Sequence, residues 1–176
     1  KYTPASAFGS VRYKLKNPAE DDSDYRRILE VFKKYDIRYF FYNGGNDSMD
    51  TCDKVSKFME KSGYDVNVIG IPKTIDNDLC ETDHCPGYGS AAKYIANSIM
   101  EINRDASVYP SPIVIVVEIM GRNAGWLTAA SKLASVGGYG ADLIYLPEIP
   151  FSYDKFLSDV KTVVDKKKYC IVAVSE

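Results

Sequence analysis

The 176-residue sequence contains no apolar run approaching the ~20 residues of a membrane span, and nothing within it reads as a signal peptide. Its single histidine, His84, and four cysteines show no disulfide pattern, which suits a reducing, cytoplasmic location. Cys80, His84 and Cys85 lie close together, but a structural zinc site wants four ligands, usually as two spaced pairs, and no second pair follows. The net charge is -2, with no basic stripe or interleaved aromatic platform, so neither nucleic acid nor a membrane is an expected partner. Lys166-Lys167-Lys168 reads as a solvated helix end. There is no Gly-Lys-Ser/Thr ending of a Walker A loop, no dinucleotide fingerprint, no internal repeat and no low-complexity segment.

What is present is a hydrophobic fraction of 45%, enough for a packed core, in a length that suits one domain or parts of two. The chain starts at Lys1 and stops at Glu176 directly after an apparent strand, so a fragment of a longer protein is expected. Hydrophobic periodicity predicts helices over 21–34, 49–62, from 87 or 89 to 104, 123–136 and 153–166. Apolar runs predict strands over 37–42, 66–71, 113–119, 141–146 and 169–174. The run Ile113–Ile119 is apolar and β-branched enough to suggest a strand covered on both faces. The alternation predicts an α/β protein with a largely parallel sheet. Pro86, Gly87 and Gly89 suggest a division near 82–89, with 1–86 and 87–176 as two partial domains.

Two loops carry the chemistry. Gly44-Gly45-Asn46-Asp47-Ser48 follows one strand and opens a helix near Asp47 or Ser48, where backbone N–H groups and the helix dipole favour an anion. Taken alone it is equally a capped strand-to-helix turn. Lys73-Thr74-Ile75-Asp76-Asn77-Asp78 follows the next strand and supplies a cation and two carboxylates two residues apart. One carboxylate could hold Mg²⁺, which binds through one or two carboxylates plus substrate oxygens, while the other takes a proton. Alone, this segment is also an Asx-rich turn. Loops at the carboxyl ends of adjacent parallel strands share a crevice, and together these two hold the equipment of phosphoryl transfer. Met120-Gly121-Arg122 leaves a third strand, and the fork of Arg122 matches phosphate oxygens, though a lone arginine is as often a surface residue. Trp126 and the fourteen tyrosines read as core and interface material.

With these residues in hand, the chain resembles the phosphofructokinase family nearly end to end. Gly9-Ser10-Val11-Arg12, Gly44-Gly45-x-x-Ser48, Thr74-Ile75-Asp76-Asn77-Asp78, Thr82-Asp83 and Met120-Gly121-Arg122-x-Ala124-Gly125 occur in the family's order. The resemblance implies two doubly wound α/β domains of phosphofructokinase type, incomplete here, with the donor bound by the first and the sugar phosphate by the second. ATP-using members resemble Gly-Gly-Asp-Gly-Ser and Pro-Gly-Thr-Ile-Asp-Asn-Asp; this chain has Asp47 and Lys73 at the two distinguishing glycines, as in the pyrophosphate-dependent branch. An aspartate there would crowd and repel the α-phosphate and nucleoside of ATP, and a lysine would give the donor a compact positive charge.

The resemblance therefore implies pyrophosphate as donor, fructose 6-phosphate as acceptor and Mg²⁺ as cofactor. It implies Asp76 as the base on the sugar 1-hydroxyl, with Thr74, Lys73 and Asp47 beside the transferring group. Thr74, Ile75, Asp76, Met120, Gly121, Arg122 and Glu176 are implied to bind the sugar phosphate. Gly45, Arg12 and Lys73 are implied to bind the donor, and Asn46 and Asp78 the metal. Family members resemble homodimers or homotetramers. Asn46 replaces a metal-side aspartate, so Asp47 is a competing ligand; Tyr109–Ile113 lacks an arginine that many ATP-using members place there. The family's first donor loop would precede Lys1 and further sugar-phosphate residues would follow Glu176, so this span alone is expected to be inactive. The competing readings are an ATP-dependent kinase of the family, a non-catalytic regulatory subunit of the same fold, and an unrelated sugar-phosphate-binding module. Loss of the base would mark the regulatory subunit, and Asp76 is intact.

Overall fold

A computed structural model describes residue 7 and residues 9–176. The chain forms two compact units, 1–73 and 74–176. The two units meet between Lys73 and Thr74, within the second chemistry-bearing loop.

In the first unit, α1 (Ser23–Lys34) and α2 (Asn46–Lys61) accompany the parallel pair β1 (Tyr39–Gly44) and β2 (Asn67–Pro72). Asp24 in the first turn of α1 and Lys33 and Lys34 in its last complement the helix dipole. Its apolar face places Tyr25 and Phe32 in a core with Val55 and Met59 of α2. Because side chains alternate along a strand, Phe40 and Val68 face this core, while Tyr39, Phe41, Ile69 and Ile71 stand exposed on the other side.

In the second unit, α3 (Tyr88–Ala106), α4 (Trp126–Ala130), a following 3-10 helix (Ser131–Gly137) and α5 (Tyr153–Lys167) surround β3 (Ile113–Ile119), β4 (Leu143–Tyr145) and β5 (Tyr169–Ser175). The strands are parallel in the order β3-β5-β4. Ile171 and Ala173 of central β5 join Ile99 of α3 and Leu127 of α4 in the core, and Cys170 and Val172 on its opposite face are equally buried. The alternating β and α elements and the parallel pairing follow the pattern the sequence predicts.

Three details differ from the sequence expectations. Helix α2 begins at Asn46, one residue before the expected start, because Gly45 occupies the N-cap. The helix expected over 123–136 is α-helical only to Ala130 and then tightens into the 3-10 segment, whose small buried Ser131 and Ala134 permit close packing. Among the described residues, the second face of β3 is left largely open: Ile113, Ile115 and Val117 pack on the core while Val114 and Val116 are 44% and 53% exposed. The lysine run does close a helix, with Lys166 and Lys167 in the last turn of α5 and Lys168 as its left-handed C-cap.

Candidate active site

In the first unit, the β1–β2 register sets Gly44 opposite Pro72, and the Lys73 N–H donates to the Gly44 carbonyl at 2.9 Å. The glycine pair and Lys73 therefore leave the sheet side by side. Gly44 is buried where the chain turns into α2, and a Cβ there would collide with the Ser48 side chain, so only glycine permits this approach. Gly45 caps α2 without a side-chain hydrogen bond, leaving the helix start open to a polar ligand; a Cβ on it would meet only the Lys73 carbonyl, at 3.8 Å. Asn46 and Asp47 form the first turn and are exposed, as are Lys73 and Arg12. Asp47 Oδ1 lies 3.6 Å from Lys14 Nζ.

In the second unit, the segment 74–78 is ordered by its own side chains. Thr74 Oγ1 accepts the Asp76 N–H at 3.1 Å, which fixes the turn that presents the half-buried aspartate. Asn77 is buried in the left-handed region, with φ of 60°, a conformation asparagine tolerates better than most residues. Its Oδ1 accepts the Cys85 N–H at 2.7 Å and its amide donates to the Asp83 carbonyl at 3.3 Å. A buried asparagine thus clamps the loop 77–85 and separates half-buried Asp76 from exposed Asp78. Ile75 packs against the core.

Ile75, Met120, Tyr94 and Glu118 are among the residues lining an apolar cavity of about 240 Å³ between α3 and the end of β3. Ile75 of the first segment and Met120 of the second therefore line one concavity within this unit. The Glu176 N–H donates to the Ile119 carbonyl at 3.0 Å, so Glu176 leaves β5 beside Met120 leaving β3. One turn further, Thr128 and Ser175 hydroxyls meet at 2.8 Å and hold the start of α4 against the end of β5. Gly121 adopts φ of 122°, and a Cβ on it would strike the Ala124 carbonyl. Arg122 and Met120 are exposed at this turn.

Sequence reasoning missed two supports. Glu148, just after β4, accepts the Gly125 N–H at 2.7 Å and pins the far end of the Met120–Gly125 turn. Its signal was its place after a strand and Pro147, the position that singled out the other loops. Asn77 was read as a motif member, and its clamping role needed the structure. Lys14, two residues after Arg12, was also passed over.

The fold agrees with comparisons to known proteins. The family model described as Phosphofructokinase matches residues 2–176. The chain is 50% identical, over its full length, to the pyrophosphate–fructose 6-phosphate 1-phosphotransferases of Halomonas elongata and Methylococcus capsulatus, and covers 43% of each. A crystal structure of the pyrophosphate-dependent phosphofructokinase from Nitrosospira multiformis superposes with a TM-score of 0.82 at 49% identity, covering 99% of this chain and 44% of that one. The chain thus spans less than half the length of these relatives. Ordered motifs, matched fold and a family match across nearly every residue converge: the chain belongs to the phosphofructokinase family.

Proposed function

We propose that the full-length polypeptide carrying this chain transfers a phosphoryl group reversibly from pyrophosphate to the 1-hydroxyl of fructose 6-phosphate. Asp76 takes the hydroxyl proton, the sugar oxygen attacks the terminal phosphorus, and the bridging P–O bond breaks to release orthophosphate. The products are fructose 1,6-bisphosphate and orthophosphate. Both reactant and product sides hold phosphoryl compounds of comparable transfer potential, so the reaction runs both ways. In this reading 1–86 belongs to the donor half and 87–176 to the sugar-phosphate half.

The observation that carries the donor assignment is the pairing of Gly44 and Lys73 at the ends of parallel β1 and β2, with Asp47 one turn away in α2. A cation next to an uncapped helix start favours a small polyanion. A carboxylate in the first turn of that helix disfavours a nucleotide. The names of the half-identical relatives support the same donor.

Thr74 and Lys73 flank the transferring group, with Lys73 offsetting charge on the departing phosphate. Gly45 and Arg12 meet the donor. Ile75, Met120, Gly121, Arg122 and Glu176 bind the sugar phosphate, Arg122 through its phosphate and Glu176 through its hydroxyls. Asn46 and Asp78 present hard oxygen donors, and among the described residues no group of three or more His, Cys, Asp or Glu gathers around one point. Such a sparse oxygen set fits Mg²⁺, which takes most of its ligands from water and substrate phosphates. When bound, the ion would offset charge on the donor and polarise the transferring phosphorus. Asn46 and Asp78 would hold it. The protein would act in the cytoplasm as a homodimer or homotetramer.

The test is turnover of the full-length protein with fructose 6-phosphate and Mg²⁺, with pyrophosphate compared against ATP. Turnover with pyrophosphate and none with ATP is the expected result. Turnover with ATP alone overturns the donor assignment, and no turnover with either favours a binding module or regulatory subunit.

A further inference from the structure

Lys14 lies in a segment without regular secondary structure, yet its neighbours are tied down on both sides. The Tyr13 hydroxyl donates to Asp24 Oδ2 at 2.9 Å. Leu15 packs against the core of the first unit, and the buried Tyr25 hydroxyl donates to the Lys16 carbonyl at 2.7 Å. These anchors bring Lys14 Nζ to 3.6 Å from Asp47 Oδ1. Both side chains are largely exposed, at 73% and 84%, so the pair contributes little to stability. Three anchors around one exposed lysine call for another explanation.

Asp47 poses an electrostatic problem that the pair solves. A carboxylate beside the donor's phosphates repels pyrophosphate as it repels a nucleotide, because like charges oppose each other whatever carries them. It also sets a negative charge in the first turn of α2, which weakens the attraction that the open helix start offers an anion. Bulk alone can distinguish the small donor from the large one, but uncompensated charge cannot.

We infer that Lys14 is a specificity-determining positioning residue, which neutralises and orients Asp47 so that the carboxylate blocks a nucleotide without repelling pyrophosphate. This rests on the donor reading proposed above. Lys14 acts through Asp47 rather than by touching the reacting atoms.

The experiment is steady-state kinetics of the full-length protein with pyrophosphate as the varied substrate, for Lys14→Met, Lys14→Arg, Asp47→Gly and the double substitution Lys14→Met/Asp47→Gly. Lys14→Met should raise the KM for pyrophosphate about threefold, the size of one lost exposed ion pair. Its kcat and its KM for fructose 6-phosphate should stay near those of the unsubstituted protein, and Lys14→Arg should restore the KM for pyrophosphate. With Asp47→Gly already in place, Lys14→Met should change the KM for pyrophosphate no further. An unchanged KM in Lys14→Met, or the same rise in the Asp47→Gly background, overturns the inference. If the unsubstituted protein turns over with ATP alone, the donor assignment fails first and takes this inference with it. Pyrophosphate turnover with no effect of Lys14→Met overturns the inference alone.

Discussion

The two units bury their sheets to different extents, and the candidate site groups they carry differ in exposure. Among its described residues the first has two strands, helices packed on one face, and a core cluster of four buried side chains led by Tyr25 and Met59. Its candidate site groups, Asn46, Asp47, Lys73 and Arg12, are all exposed. The second has a central strand buried on both faces and a candidate base that is half-buried, in a loop clamped by the buried Asn77. Exposed charges on a thin layer suit capture of an ionic donor. A half-buried carboxylate on a deeper layer suits proton transfer, which depends on a fixed position.

The largest effect expected from this contrast is at Asp76. On the proposed mechanism, Asp76→Asn in the full-length protein keeps the size of the side chain and removes the base. The kcat should fall at least about a hundredfold, the lower end for losing a positioned general base. The KM for pyrophosphate should hardly move, because the donor-binding groups belong to the first unit. A large rise in that KM with little change in kcat would reverse the assignment of roles to the two units.

Packing should separate as cleanly as chemistry. Ile171 has no exposure, whereas Val114, on the neighbouring strand, is 44% exposed. Ile171→Ala should cost about 2–5 kcal/mol, as buried isoleucine truncations do. Val114→Ala should stay within about 0.5 kcal/mol, the range of ordinary surface changes. In the first unit, Met59→Ala and Ile69→Ala form the corresponding pair, with 1% and 40% exposure at the native residues. Urea unfolding of the 176-residue chain measures all four. Equal losses within either pair would mean that the open faces are not open in solution.

This contrast also shows what was legible in the sequence. The order and type of the elements were, because the periodicity that drives amphipathic burial is written along the chain, and β3 runs over the expected Ile113–Ile119. The loops of the candidate site were legible because glycine, aspartate and lysine after an apolar run mark strand ends. Coverage was not legible. Ile-Val-Ile-Val-Val-Glu-Ile of β3 reads as apolar as the doubly buried β5, yet β3 is an edge strand with one open face. An apolar run reports that a strand can sit in a parallel sheet, whereas the elements packed on each face decide how many faces are covered. Supports such as Glu148 and Asn77 were hidden because hydrogen bonds spanning 23 and 8 residues leave no local pattern.

The smallest predicted effect compares two buried thiols. Burial pushes the Cys52 thiol of the first unit up, and pushes Cys170 of the second up to about 11, with the charge of Asp142 adding to the rise and Lys167 opposing it. Asp142 is fixed there by accepting the Ile171 N–H at 2.9 Å and the Lys167 ammonium at 2.7 Å. In the unfolded chain the Cys170 thiol ionises near its ordinary value of 9.0, so between there and about 11 the unfolded state binds fewer protons than the folded one. Its contribution to stability is therefore complete below about pH 9 and declines as pH rises toward 11, by at most about 2–3 kcal/mol. Other groups titrate in the same range, so the informative quantity is the difference between the native chain and Cys170→Ala. Urea midpoints at pH 8.5, 10 and 11 should fall more steeply for the native chain. Parallel slopes would mean that water reaches Cys170 and that the depth separating the second unit from the first ends short of β5.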